Sequence, residues 1–98
     1  MNPEKMKASA SAATELLKLL SHRDRLLVLC QLKTGEQSVG QLAKSLDIKQ
    51  SPLSQHLARM RHAGVVACRR DGQTMYYSLV GAEVEKLVSV LYELFCEE

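Results

Sequence analysis

The sequence predicts a mainly α-helical fold carrying one small β-hairpin. Three observations predict it. Apolar residues recur at intervals of three and four through most of the chain; the period shortens between residues 65 and 79; and an Asp-Gly pair lies inside that short-period stretch. The expected order is helix, helix, helix, helix, hairpin, helix, in one domain over residues 1–98. With 46% hydrophobic residues, no Trp and a single Phe, such a chain fills one modest, aliphatic core.

Each element has its own signal. Ala10, Ala13, Leu16, Leu17 and Leu20 mark the inner face of a first helix. Ser21 is read as the N-cap of a second, with Asp24 three residues on. Leu26, Leu27, Val28, Leu29, Cys30 and Leu32 leave that helix apolar on nearly all sides, which predicts a central position, and Thr34-Gly35 stops it. Ser38 caps a third helix from Val39 to about Ser45, with Leu42, Ala43 and Leu46 inward. A turn over 47–50 leads to a fourth, read as starting near Ser51-Pro52 with Pro at its first position and ending at Gly64. Val65–Arg69 and Thr74–Leu79 read as strands joined by Arg70-Asp71-Gly72-Gln73. Of the adjacent Tyr76 and Tyr77, one is expected in the core and the other partly exposed. A last helix follows Gly81, with Val84, Leu87, Val88, Leu91, Leu94 and Phe95 as its stripe. The third and fourth helices then form a helix-turn-helix, and the hairpin beside it a wing.

Charge is distributed unevenly. The net charge is only +2, yet Lys49, Arg59, Arg61, Arg69 and Arg70 fall in a stretch without one acid, while Glu83, Glu85, Glu93, Glu97 and Glu98 gather near the C-terminus. A local basic stripe points to a polyanion site; a solvated face is the plain alternative. The fourth helix sharpens the choice. At helical spacing, Ser51, Ser54, Gln55, Ala58, Arg59 and His62 share one face, and Leu53, Leu57 and Met60 another. Small side chains permit close approach to a duplex, while amides, hydroxyls and guanidinium groups read base edges or grip phosphates. Lys49, Gln50, Ser51, Ser54, Gln55 and Arg59 are the candidate DNA contacts of this helix, with Arg69, Arg70 and Gln73 at the wing. His56, at the edge of the apolar face, either meets a phosphate or satisfies a group inside the domain.

Other classes find little support. No nucleophile–base pair or Gly-rich phosphate loop appears, so no enzyme is expected. No apolar run reaches membrane-spanning length, and no secretory leader is visible, so a cytoplasmic protein is expected. Cys30, Cys68 and Cys96 are too few, and odd in number, for a secreted disulfide framework.

The segments LLKLLSHRDRLLVLCQL, SVGQLAKSLDIKQSPLSQHLARMRHAGVV and RRDGQTMYYSL resemble the ArsR family of bacterial winged-helix repressors. The resemblance runs from about Ala12 to Cys96, and the run Ser54–Val66 is its most specific part. It implies a homodimer through the first and last helices, bound to a double-stranded operator with inverted half-sites. Two-fold symmetry then sets the recognition helices about 34–36 Å apart. Family members differ in what they sense. The Cys-x-Cys pair of arsenic-type members is replaced here by Ser38-Val39-Gly40. The last helix has no His, and the N-terminal segment has no Cys. No conventional metal site and no cofactor are therefore expected.

LLVLCQL and LYELFCEE are similar to the family's dithiol subgroup, the HlyU-, BigR- and SqrR-like proteins. That likeness implies that Cys30 and Cys96 sense reactive sulfur species or an oxidant through a disulfide or polysulfide bridge. Taken alone, Cys30 among leucines reads as a small buried hydrophobe. Cys68 has no subgroup counterpart. Two rival readings stay open: a metal- or metalloid-responsive repressor using Cys30, Cys96 and a carboxylate, and a winged helix that docks another protein. Operator affinity that falls steeply with salt separates DNA binding from the latter.

Overall fold

A computed structural model describes residues 2–96; Met1 and the acidic Glu97 and Glu98 lie outside the described residues. The elements are α1 (Pro3–Leu20), α2 (Arg23–Leu32), β1 (Gln37–Ser38), α3 (Val39–Leu46), α4 (Gln50–His62), β2 (Val66–Asp71), β3 (Thr74–Leu79) and α5 (Ala82–Phe95).

α1 starts earlier than its apolar spacing suggests. Asn2 caps it by accepting the Glu4 N–H at 2.9 Å, and Pro3 follows at the first helical position, where a missing N–H costs nothing. Ser21 closes α1, donating its N–H to the Lys18 carbonyl, and does not start α2. The N-cap of α2 is instead His22, one residue on, whose Nδ1 accepts the Asp24 N–H at 3.2 Å. An imidazole nitrogen takes the place of the usual hydroxyl or carboxylate, which is why a serine next to it is the more obvious cap by residue type. Arg25, only 8% exposed, joins the two helices. Its Nε donates to the Leu19 carbonyl at 2.6 Å and its Nη2 to the Lys18 carbonyl at 3.5 Å. A guanidinium thus satisfies carbonyls at the C-terminal end of α1, where the helix dipole favours a cation.

The helix-turn-helix has well-defined ends. Ser38 and Gln41 form a capping box: the Gln41 N–H donates to Ser38 Oγ at 3.1 Å, and the Ser38 N–H to Gln41 Oε1 at 2.8 Å. Asp47 ends α3 in the left-handed region, at φ 53°. α4 then starts at Gln50, with Lys49 as N-cap and no side-chain capping bond. Pro52 therefore takes the third helical position, not the first; its missing N–H is still among those with no intrahelical partner. After Ala63, Gly64 adopts φ 82°, and Val65 donates its N–H to the Met60 carbonyl. This 6→1 bond reverses the chain into the sheet.

The sheet has three strands, in the order β1-β3-β2. β1 adds a strand to the expected hairpin; it pairs Gln37 with Tyr77 and Ser38 with Tyr76. In the hairpin, Arg70 and Asp71 remain in the ladder, with Asp71 opposite Thr74. The connection is thus only Gly72-Gln73, and Gly72 supplies the positive φ of 63° at the first turn position. Tyr76 and Tyr77 are both half-buried, so neither sits fully inside.

The core lies where α2, α3, α4, the hairpin and α5 meet. Val28, Leu29, Leu42, Leu53, Leu57, Met60 and Val88 are completely enclosed. Each contributes about 1.5–3 kcal/mol of burial energy. Three of the seven belong to α4, so its inner face is fixed in the body and its outer face is held outward.

Candidate nucleic-acid interface

Burial divides α4 cleanly. Leu53, Leu57 and Met60 are buried; Ser51, Ser54, Gln55, Ala58, Arg59 and His62 are exposed together on the opposite side. Lys49 and Gln50 are exposed at its start. Arg59, Arg61 and His62 occupy its last turn, where cations also complement the helix dipole. The result is a rigid rod with a hydrogen-bonding face that no acid of its own segment neutralises.

The wing is less open than its arginines suggest. Arg69 makes a forked ion pair with Glu36, its Nε at 2.9 and 3.0 Å from the carboxylate oxygens and its Nη2 at 2.7 Å. Its guanidinium also lies 4.6 Å from the centre of the Tyr76 ring. The hydrogen bond to Glu36 raises the Arg69 pKa further above its ordinary value. Glu36 lies 33 residues away in sequence, so the acid-free run that ends at Arg70 gave no sign of it. Arg70 donates Nε to the Gly72 carbonyl at 2.8 Å, which pins its base to the turn while the rest of its guanidinium faces solvent. Gln73 is exposed at the tip.

His56 is half-buried, its ring centre 4.4 Å from that of His22 and tilted by 55°. Burial lowers its pKa, and His22, Arg25 and Arg59 add to the effect against an opposing pull from Asp24. It therefore faces the N-terminus of α2 as much as the outer side of α4.

The cysteines occupy different surroundings. Cys30 is half-buried on α2, and Cys96 is exposed directly after α5. Burial raises the Cys30 pKa, and the Cys96 thiol is near enough to raise it further, while Lys33 opposes both. The Lys33 ammonium sits 4.6 Å over the Tyr92 ring of α5, at the same junction. Cys68 stands opposite Tyr77 in the ladder, and the Tyr77 pKa is raised by burial and by the neighbouring Cys68 thiol.

Comparison with known proteins places this geometry. Residues 22–67 match the pattern of the bacterial regulatory protein, arsR family. The transcriptional activator HlyU of Vibrio cholerae is 40% identical over 97 residues, covering 99% of this chain and 90% of that relative. The chain belongs to the ArsR family. The biofilm growth-associated repressor of Xylella fastidiosa is another ArsR-like relative, 41% identical over 98 residues, covering 100% of this chain and 86% of its own length. Among solved structures, reduced HlyU from V. cholerae superposes with a TM-score of 0.92 at 39% identity, over 96% of this chain and 99% of that one. BigR from X. fastidiosa superposes with a TM-score of 0.88 at 41% identity, over 97% and 94%. The winged-helix fold expected from the sequence is therefore shared with these ArsR proteins, and this family member is a DNA-binding transcriptional regulator of the HlyU/BigR type, not an enzyme. Among the described residues no helix is long and apolar enough to cross a membrane.

Proposed function

We propose that this regulator binds an inverted-repeat operator as a homodimer, with α4 in the major groove and the wing tip on the backbone. We propose further that Cys30 and Cys96 set its operator affinity. One observation carries the DNA reading: α4 buries Leu53, Leu57 and Met60 while exposing Ser51, Ser54, Gln55 and Arg59. The dimer reading is supported by the apolar residues that one chain leaves uncovered on α1 and α5. Phe95 is 81% exposed and Leu94 69%, with Leu17 and Val90 also open. In a two-fold dimer Arg59→Ala removes two arginine–phosphate ion pairs, one per half-site, and should lower the slope of log affinity against log salt by about 1.8. An operator titration at several salt concentrations, with wild type and Arg59→Ala, tests this; an affinity indifferent to salt would point to a protein-docking module instead.

The redox reading rests on the nearness of Cys30 and Cys96 and on the dithiol resemblance. The exposed Cys96 attacks first. With a persulfide, its thiolate takes the outer sulfur and releases the thiol; Cys30 then attacks the bound sulfur of Cys96 and expels hydrosulfide. Two thiols and one persulfide thus give one disulfide, one thiol and one hydrogen sulfide. A second persulfide leaves one sulfur atom in the bridge. With peroxide, the two electrons pass to oxygen and two waters form. Linking α2 to α5 need change operator binding by only about 1–3 kcal/mol to act as a switch. Mass spectrometry after glutathione persulfide, hydrogen peroxide or glutathione disulfide is the test. A Cys30–Cys96 link, with added sulfur only after persulfide, is the expected result; no link under any of the three sinks the redox reading. Stoichiometric zinc or arsenite binding by the thiols that releases DNA would favour the metal-responsive reading.

A further inference from the structure

We propose that His22, Asp24 and His56 form a site for one divalent transition-metal ion of the zinc class, bridging the N-terminus of α2 to α4. Each residue offers one ligand atom, and these atoms lie within 4.8 Å of one another. The two imidazole rings already approach to 4.4 Å between centres. Two imidazole nitrogens and a carboxylate oxygen suit zinc, with water in the fourth position. Metal bonds of about 2.0–2.1 Å set tetrahedral ligands roughly 3.3 Å apart, so side-chain rotations of about an ångström complete the site. The only ion pair of Asp24 among the described residues is a long one, 3.9 Å to the exposed Arg23. Cys30 lies eight residues beyond His22 along α2, roughly 12 Å at the helical rise, so this site is separate from the thiols.

The site is coupled to the fold through a proton. A neutral imidazole has one lone pair for an acceptor or a metal. His22 now uses Nδ1 to accept the Asp24 N–H. Ligation at Nδ1 displaces that bond. Ligation at Nε2 moves the ring proton to Nδ1 and also abolishes it. Metal uptake therefore exchanges the N-cap of α2 for a tie between α2 and α4. Arg25 and Arg59, whose charges reach His56, oppose a dication and weaken the site. An effect of that tie on operator binding rests on α4 being the DNA-reading helix; metal binding itself does not.

The test is a zinc titration of the reduced full-length protein, read from the imidazole nitrogen–proton correlations. The expected result is saturation at one ion per chain, with the His22 and His56 rings shifting and the His62 ring unmoved. His22→Asn retains an N-cap acceptor and removes the imidazole; it and His56→Gln should each weaken zinc binding by more than about tenfold. Thermal melts without metal show that these variants are folded. Cobalt substitution identifies the donors. Intense sulfur-to-cobalt charge transfer with unmoved rings assigns the ion to the thiols and overturns the proposal, as does no saturable binding at millimolar zinc. An operator titration without added metal is run in parallel, so failure of the DNA reading is distinguished from failure of the metal site.

Discussion

Arg25 shows how much a single residue can carry without showing in the sequence pattern. It lies in a helix whose apolar run points elsewhere, yet it is buried and donates to the carbonyls of Leu19 and Lys18. Arg25→Met should cost about 1.5–3 kcal/mol in urea unfolding, because charge-assisted bonds disappear and the Leu19 carbonyl loses the guanidinium donor that it has at the end of α1. Arg25→Lys should recover only part, since an ammonium lacks the planar fork. Cys30 makes a second case. Its raised pKa leaves less thiolate at neutral pH than an ordinary cysteine has, so its alkylation rate should climb with pH through and beyond the usual thiol range. Cys96→Ser removes a neighbouring negative charge and should shift that profile to lower pH; Lys33→Met removes a positive one and should shift it to higher pH. Iodoacetamide rates at Cys30, resolved by mass spectrometry, check both signs. The identity of these thiols was legible through a resemblance, but not their nearness, which depends on how α2 meets α5.

Among the elements, those with a long period were the most legible. The two faces of α4, the Ser38 start of α3 and the Gly64 stop could all be read from residue types and spacing, because caps and amphipathic stripes are local physics. β1 could not be read: two residues are too few to show alternation, and its partner lies about forty residues away at Tyr76 and Tyr77. The hairpin connection is two residues shorter than expected, Arg70 and Asp71 joining the ladder, since Asp-Gly fits a turn centre as readily as the observed Gly-Gln. The Glu36–Arg69 pair was hidden for the same reason as β1. It also makes a prediction about the wing. Glu36→Gln frees a guanidinium that is now neutralised, so operator affinity should rise and its salt dependence steepen in a filter-binding or anisotropy series. Arg69→Ala should then matter less than Arg59→Ala, whose side chain is in no ion pair among the described residues.

At the scale of the whole molecule, the chain leaves large apolar side chains uncovered at both ends. Met6 and Leu17 on α1, and Val90, Leu94 and Phe95 on α5, are exposed where a lone domain would favour polar groups. Phe95→Glu should therefore shift sedimentation toward a monomer and lower operator affinity, because a single half-site holds fewer phosphates. That these residues were apolar was plain from the stripe of the last helix; that they stay open required knowing that α5 meets the core through Val84, Leu87 and Val88. Ser38 has one more consequence. It is the strand partner of Tyr76 and, through its hydroxyl, the first hydrogen-bond acceptor of α3. Hairpin and reading head are thus yoked at one peptide and swing together. On the proposed docking, an operator whose backbone is displaced at the wing is not met by the hairpin bending alone; the entire head re-seats, so such a regulator should be strict about the shape of its half-site.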